Sequence, residues 1–167
     1  MRRLTAVLCL TLAGAEGPSA NLYDIIVTDG PDARLERTAV AQALQKLRRP
    51  PRRLAIIDAE AARPEVRAKL RSLDAFTTSG GTVVYVLRHS AALQGAMSGS
   101  RMHTFALASI VWHEMAHIDG ADERKARRAE EDLWRRFIRD GEIDHVVALR
   151  YLSALTSRRD DHMFARR

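Results

Sequence analysis

Two histidines, His113 and His117, stand four residues apart, and a glutamate, Glu114, directly follows the first. Residues four apart share one face of a helix, so both imidazoles can bind the same metal ion. Glu114 lies about 100° around the helix from His113, where its carboxylate can reach a water molecule at the metal without binding the metal itself. The H-E-x-x-H spacing therefore predicts a catalytic metal site, and zinc is the ion it is typical of.

The segment that carries this motif is predicted to be a largely buried helix. Residues 104–112 include no charged side chain. Phe105, Ala108, Trp112 and Met115 share one apolar stripe of the helix, and the motif residues fall on the side that this stripe leaves open. A solvated helix with a chance motif would carry more charge here. The alternative that stays open is a pair of structural histidines in a core helix.

A catalytic zinc site usually takes three protein ligands, so a third one has to be found. Gly120 is typical of a helix end, and a second helix is predicted over 121–140. Its inward seam carries two carboxylates, Glu123 and Glu130, which need a partner on an apolar face. If a tight turn folds this helix back, Glu123 lies level with His117 and Glu130 lies about 10 Å further along.

Glu123 is therefore the predicted third ligand, and Glu130 is predicted to accept a hydrogen bond from a ligand histidine or from an arginine. The alternative for Glu123 is an acidic residue favoured only by the dipole at a helix N-terminus. Asp119 and Asp122 are weaker candidates for the ligand, and Asp122 is better placed to cap the second helix.

The stretch His113-Glu-Met-Ala-His117-Ile-Asp-Gly120-Ala-Asp-Glu123 resembles the zincin metallopeptidases. It looks most like the minimal gluzincins, where a Glu ligand follows the motif soon after a glycine. It is also similar to the metzincin pattern, with Glu123 in the place of the third histidine but without a convincing methionine turn. The resemblance implies zinc-dependent hydrolysis of a peptide or protein substrate, with Glu114 as the general base.

The resemblance also implies a fold, an α+β zincin-like domain in which the edge strand of a small sheet packs on the motif helix and an antiparallel helix follows. In zincins a strand before the motif helix pairs with the extended substrate, and the strand predicted at 82–87 is the candidate. An internal core strand would look the same in sequence, so both interpretations stay open. Residues 90–100 are predicted to be a loop that could line the cleft.

The other predicted elements alternate between short apolar runs and helical periodicity. They are strands at 22–27 and 54–57 and helices at 32–47, 64–73 and 144–156. The 167 residues suffice for one domain with a real core, predicted at 16–156, followed by a charged tail at 157–167.

The composition is that of an ordinary globular protein, with 46% hydrophobic and 29% charged residues. The net charge is +6, and only three of the 27 basic residues are lysines. The arginines are scattered rather than gathered on one stripe with aromatic residues between them, so nucleic acid is not a favoured partner. No apolar run is long enough to span a membrane.

The first 15 residues have the pattern of a secretory signal peptide, with two arginines, an apolar run over 4–13, and alanines at positions 13 and 15. Loss of this segment would remove both arginines, lower the net charge from +6 to +4, and remove Cys9, the only cysteine. The protein is then expected to be exported, either periplasmic or secreted. The alternative, a buried first strand, would leave it cytoplasmic.

Peptide hydrolysis also needs a donor to the developing oxyanion besides the metal. The candidates are His145 and Tyr151 on the last predicted helix and His162 in the tail. His103 is expected to be structural, and His89 could reach the cleft. Two other functions stay open, a zinc-stabilised binding domain that does not cleave and a basic interaction module with a fortuitous motif.

Overall fold

The structure, a computed structural model, describes residues 24–27 and 30–153. The predicted signal segment at 1–15 and the predicted tail at 157–167 lie outside the described residues. The fold is mixed α/β, with helices packed on one small open sheet. The strands are β1 (Asp24–Val27), β2 (Arg53–Ile57), β3 (Ala75–Thr77) and β4 (Val83–Leu87). The helices are α1 (Ala33–Leu44), α2 (Pro64–Leu70), α3 (Ala91–Met97), α4 (Arg101–Ile118), α5 (Glu123–Arg139) and α6, which is described over 145–153.

The sheet has the strand order β1-β2-β4-β3, in which β1, β2 and β4 are parallel and β3 is antiparallel to β4. Because β4 pairs with a strand on each side, the predicted strand at 82–87 is internal. Of the two interpretations left open by the sequence, the internal core strand is confirmed and the substrate-binding edge is wrong. The edge that contacts α4 is β3. A run of three residues is too short to show a period-2 pattern, which is why the sequence does not predict it.

The main core joins one face of the sheet to α1, α4 and α5. Alternate residues of β2 and β4 point into it, as the pleat requires. Among the fully buried residues of these strands and of α4 are Leu54, Ile56, Val84, Val86, Phe105, Leu107, Ala108 and Val111. Burial decreases towards the end of α4, where the motif residues are only partly buried. The core therefore anchors α4 and leaves its motif accessible.

Residues 91–97 form helix α3, so the prediction of a loop over 90–100 is wrong. Gly95, a residue type common in turns, lies inside this helix. A β-carbon at this position would lie 2.2 Å from the ring of His103 on α4. Glycine is needed here because the two helices approach closely, and the small residues of this segment serve packing rather than chain reversal.

None of the helices in the part of the chain that the structure describes combines the length and the apolar character needed to cross a membrane.

Candidate metal centre

The turn between α4 and α5 folds the second helix back along the first. Gly120 has a φ of +87°, in the left-handed region that favours glycine. The N–H of Ala121 donates to the carbonyl of Ala116 (2.9 Å), and the N–H of Gly120 donates to the carbonyl of His117 (3.0 Å). This glycine-ended termination satisfies the last carbonyls of α4. Asp122 caps α5 through its side chain, as the sequence predicts.

Three potential metal-ligating atoms converge at this turn. The Nε2 atoms of His113 and His117 are 3.2 Å apart, and Oε2 of Glu123 lies 3.6 Å from the first and 3.3 Å from the second. A tetrahedral zinc ion with ligands about 2.0–2.1 Å away separates its ligand atoms by about 3.3 Å, so this triangle fits zinc and leaves a fourth position. These residues could hold a metal ion. Asp119 instead forms an ion pair with Arg49.

The hydrogen bond that Nδ1 of His117 makes determines which of its two ring nitrogens can bind a metal. Its Nδ1 lies 2.9 Å from the carbonyl oxygen of Ala121, which can only accept a hydrogen bond. Nδ1 therefore carries the proton, and the lone pair of Nε2 is free on the side of Glu123. The turn at Gly120 places this carbonyl, so the same glycine that ends α4 also fixes the tautomer of His117.

Replacing Gly120 with alanine is expected to lower the free energy of unfolding by about 1–2 kcal/mol, because a β-carbon disfavours left-handed backbone. It should also weaken zinc binding, because the Ala121 carbonyl would move away from His117. Gly141 ends α5 with a φ of +69° and offers a matched control. Gly141→Ala should lose similar stability with unchanged zinc affinity. Urea unfolding and zinc titration measure the two effects, and equal zinc affinity in both variants would contradict this role.

The second ring nitrogen of His113 faces Glu130. Oε2 of Glu130 lies 3.3 Å from Nδ1 of His113, at an angle poor for a hydrogen bond, and no other described residue pairs with this nitrogen. The other carboxylate oxygen, Oε1, accepts hydrogen bonds from Ser109 Oγ and from the Tyr151 hydroxyl, both at 3.2 Å. The structure thus brings Glu130 to the side of His113 that faces away from His117 and Glu123.

Arg127 holds the Glu123 carboxylate from its other side. Its Nε donates to Oε1 of Glu123 at 2.7 Å, so Oε2 remains directed at the histidines. Partial burial acts to raise the pKa of Glu123, but Arg127, together with His113, outweighs this and keeps the pKa below its usual value. Arg127 is not among the residues predicted from the sequence, although its i,i+4 spacing from Glu123 is a signal for such a pair.

Glu114 lies in the cleft beside these residues. Burial raises the pKa of Glu114 above its ordinary value, although His113 and His117 act in the opposite direction. The main-chain N–H of Thr77 on β3 acts in the same direction as the histidines. The side chain therefore lies between the motif helix and the edge strand, and its raised pKa makes it a better proton acceptor near neutral pH than an exposed glutamate.

The charges around the histidines favour a cation. Burial alone would lower the pKa of His113, but Glu130, with Glu123 and Glu114, outweighs it and holds the pKa above its usual value. The carboxylates of Glu114, Glu123 and Glu130 thus lie near the imidazoles of His113 and His117. Such an excess of negative charge stabilises a positive ion placed between the rings.

A cleft of about 750 Å³ opens in front of the site, between the end of α4 and residues 73–80. The N–H of Leu87 donates to the carbonyl of Asp74 at 2.9 Å. Because antiparallel pairing alternates, Phe76 is bonded to β4, whereas Ala75 and Thr77 direct their main-chain groups to the open side. The strand β3 therefore presents an open edge to the cleft.

Tyr151 does not face this cleft, and its prediction as an oxyanion donor is wrong. Its hydroxyl bonds Glu130, and its ring stacks on Trp134 with centroids 4.2 Å apart. Burial raises the pKa of Tyr151 far above its usual value, with the charge of Glu130 acting in the same direction. The hydroxyl therefore stays protonated and donates a hydrogen bond to Glu130.

The other histidines in the described part of the chain do not line the cleft. His145 on α6 and His89 after β4 are both exposed. Nδ1 of His103 lies 2.7 Å from Oγ of Ser100 at the start of α4, which fits the structural role predicted for it. His162 lies outside the described residues.

Comparison of the chain with protein family models, with curated proteins and with solved structures found no match. No comparison therefore supports the resemblance to the zincins, and what the structure shows is that His113, His117 and Glu123 lie close enough together to hold a metal ion.

Proposed function

We propose that this protein is a zinc-dependent metallopeptidase, in which His113, His117 and Glu123 bind zinc and Glu114 is the general base. The proposal depends above all on the triangle of ligand atoms, with sides of 3.2, 3.3 and 3.6 Å, next to a carboxylate in an open cleft. Zinc, when bound, would polarise the scissile carbonyl and lower the pKa of a water molecule.

Glu114 would take a proton from the attacking water and deliver it to the leaving amine. Two features support this role. The carboxylate lies in the cleft between the motif helix and β3, and its pKa is raised by burial. A base whose pKa approaches the working pH can both accept and release the proton, which a general base in peptide hydrolysis must do.

The substrate would bind as an extended peptide along β3. The main-chain groups of Ala75 and Thr77 face the cleft, and pairing with them would hold the peptide independently of its side chains. The cleft volume of about 750 Å³ lies within the range typical of ligand sites. In this proposal β3, α4 and α5 form a zincin-like unit of edge strand, motif helix and returning helix.

The purified protein is expected to bind one equivalent of zinc and to hydrolyse fluorescein-labelled casein or a pool of fluorogenic decapeptides. Removal of the metal with 1,10-phenanthroline should abolish hydrolysis, and added zinc should restore it. His113→Ala should lose both zinc and activity, whereas His89→Ala, an exposed histidine outside the cleft, should keep both. Bound zinc without hydrolysis would favour the zinc-stabilised binding domain, and the absence of zinc binding would refute both metal functions.

A further inference from the structure

Glu130 is a buried carboxylate, only 5% exposed, and such a group needs donors to both of its oxygens. Oε2 faces His113, so Oε1 depends on Ser109 and Tyr151. These two hydroxyls come from different elements, because Ser109 lies on α4 and Tyr151 lies on α6. The orientation of Glu130 is therefore set partly by the last described helix.

The two hydroxyl donors differ in the acceptors that compete for their protons. Oγ of Ser109 has one proton but three acceptors within reach, the carbonyl of Ala106 at 2.9 Å, Glu130 at 3.2 Å and the Tyr151 hydroxyl oxygen at 3.3 Å. The Tyr151 hydroxyl has one proton and two acceptors within reach, the charged Glu130 at 3.2 Å and the neutral Ser109 Oγ at 3.3 Å. A hydrogen bond to a charged acceptor is stronger than one to a neutral acceptor. Tyr151 is therefore the more dependable donor to Oε1.

The ring of Tyr151 is itself fixed in place. It stacks on Trp134, which is fully buried and also packs edge-on against Phe137 at 6.0 Å. Neighbouring Ala148 is fully buried as well. Rotation of the phenol away from Glu130 would have to break this packing, so the hydroxyl is held in one place.

We infer that Tyr151 is a positioning residue of the metal centre, which holds Glu130 so that its second oxygen orients the ring of His113. This inference rests on the proposed zinc site. It makes α6 part of that site, although the three ligand residues lie on α4 and α5. Groups bonded to a ligand histidine fix its ring orientation and tautomer, and their loss weakens metal binding.

Tyr151→Phe removes one hydroxyl and keeps the ring that stacks on Trp134. Its zinc dissociation constant, measured by competition with a chromophoric chelator, is expected to rise about 10-fold, and that of Glu130→Gln about 10- to 100-fold. Tyr85→Phe is the matched control, because Tyr85 stacks on Phe76 within the sheet, with centroids 5.0 Å apart. Its zinc affinity should equal that of the wild type.

A double variant separates positioning from a general contribution to folding. If Tyr151 acts through Glu130, then adding Tyr151→Phe to Glu130→Gln should weaken zinc binding by less than about twofold. If Tyr151 only stabilises the fold, the two losses should multiply. Ser109→Ala provides a second variant in case Tyr151→Phe does not fold, and it should also raise the zinc dissociation constant, by a smaller factor than Glu130→Gln.

An unchanged zinc affinity in Tyr151→Phe, or losses that multiply in the double variant, would overturn the inference. If Tyr151→Phe does not fold, an unchanged zinc affinity in both Glu130→Gln and Ser109→Ala would overturn it. In each case a wild-type protein that binds zinc and cleaves peptides would leave the proposed function standing. A wild-type protein that binds no zinc would overturn both.

Discussion

Glu114→Gln is expected to lower kcat for peptide hydrolysis by about 10²- to 10⁴-fold while zinc stays bound. Glutamine has the same shape as glutamate, but it cannot take up a proton from water. The zinc-ligating triangle does not include this side chain. Metal content and kcat, measured on the same preparation, test both parts of the prediction.

Asp119→Asn is a matched control for this substitution. It also removes one carboxylate next to the motif, but Asp119 forms an ion pair with Arg49 and lies outside the ligand cluster. It should retain both zinc and hydrolysis. Wild-type kcat in Glu114→Gln would show that another group activates the water, and loss of zinc from this variant would make Glu114 a ligand rather than a base.

The parts of the site that the sequence predicts are those encoded locally along one helix or one turn. The uncharged stretch at 104–112 predicts the buried part of α4, and Gly120 predicts its end. The seam of α5 depends on a spacing of three and four residues, and Ala126 and Glu130 are buried as that spacing requires. Local periodicity was sufficient because each of these features depends on neighbours within one or two turns.

The parts that the sequence does not predict depend on contacts between distant segments. The place of β4 inside the sheet depends on its partners, and a strand with both sides paired has the same apolar pattern as an edge strand. In sequence Gly95 is typical of a loop, and only its contact with His103 shows that it serves helix packing. Tyr151 reads as a free donor on a helix, because its bond to Glu130 spans 21 positions in the chain.

The choice between Glu123 and Glu130 as the third ligand shows how such contacts decide a role. Both lie on one seam of α5, and both approach His113. Oε2 of Glu123 approaches its Nε2 at 3.6 Å, on the side shared with His117, whereas Oε2 of Glu130 approaches Nδ1 at 3.3 Å. The two nitrogens lie on different sides of the imidazole ring. One ion bound at both Nε2 atoms can therefore be reached by Glu123 but not by Glu130.

Glu123→Ala is accordingly expected to raise the zinc dissociation constant by more than about 100-fold, beyond the 10- to 100-fold typical of groups that only contact a ligand. Glu130→Gln should stay within that lower range. Glu131→Ala, on the same helix but paired with Arg135, is a control that should bind zinc as the wild type does. Zinc retained by Glu123→Ala, together with zinc lost from Glu130→Gln, would reverse the two roles. It would require the ion to lie at Nδ1 of His113, where His117 cannot join it.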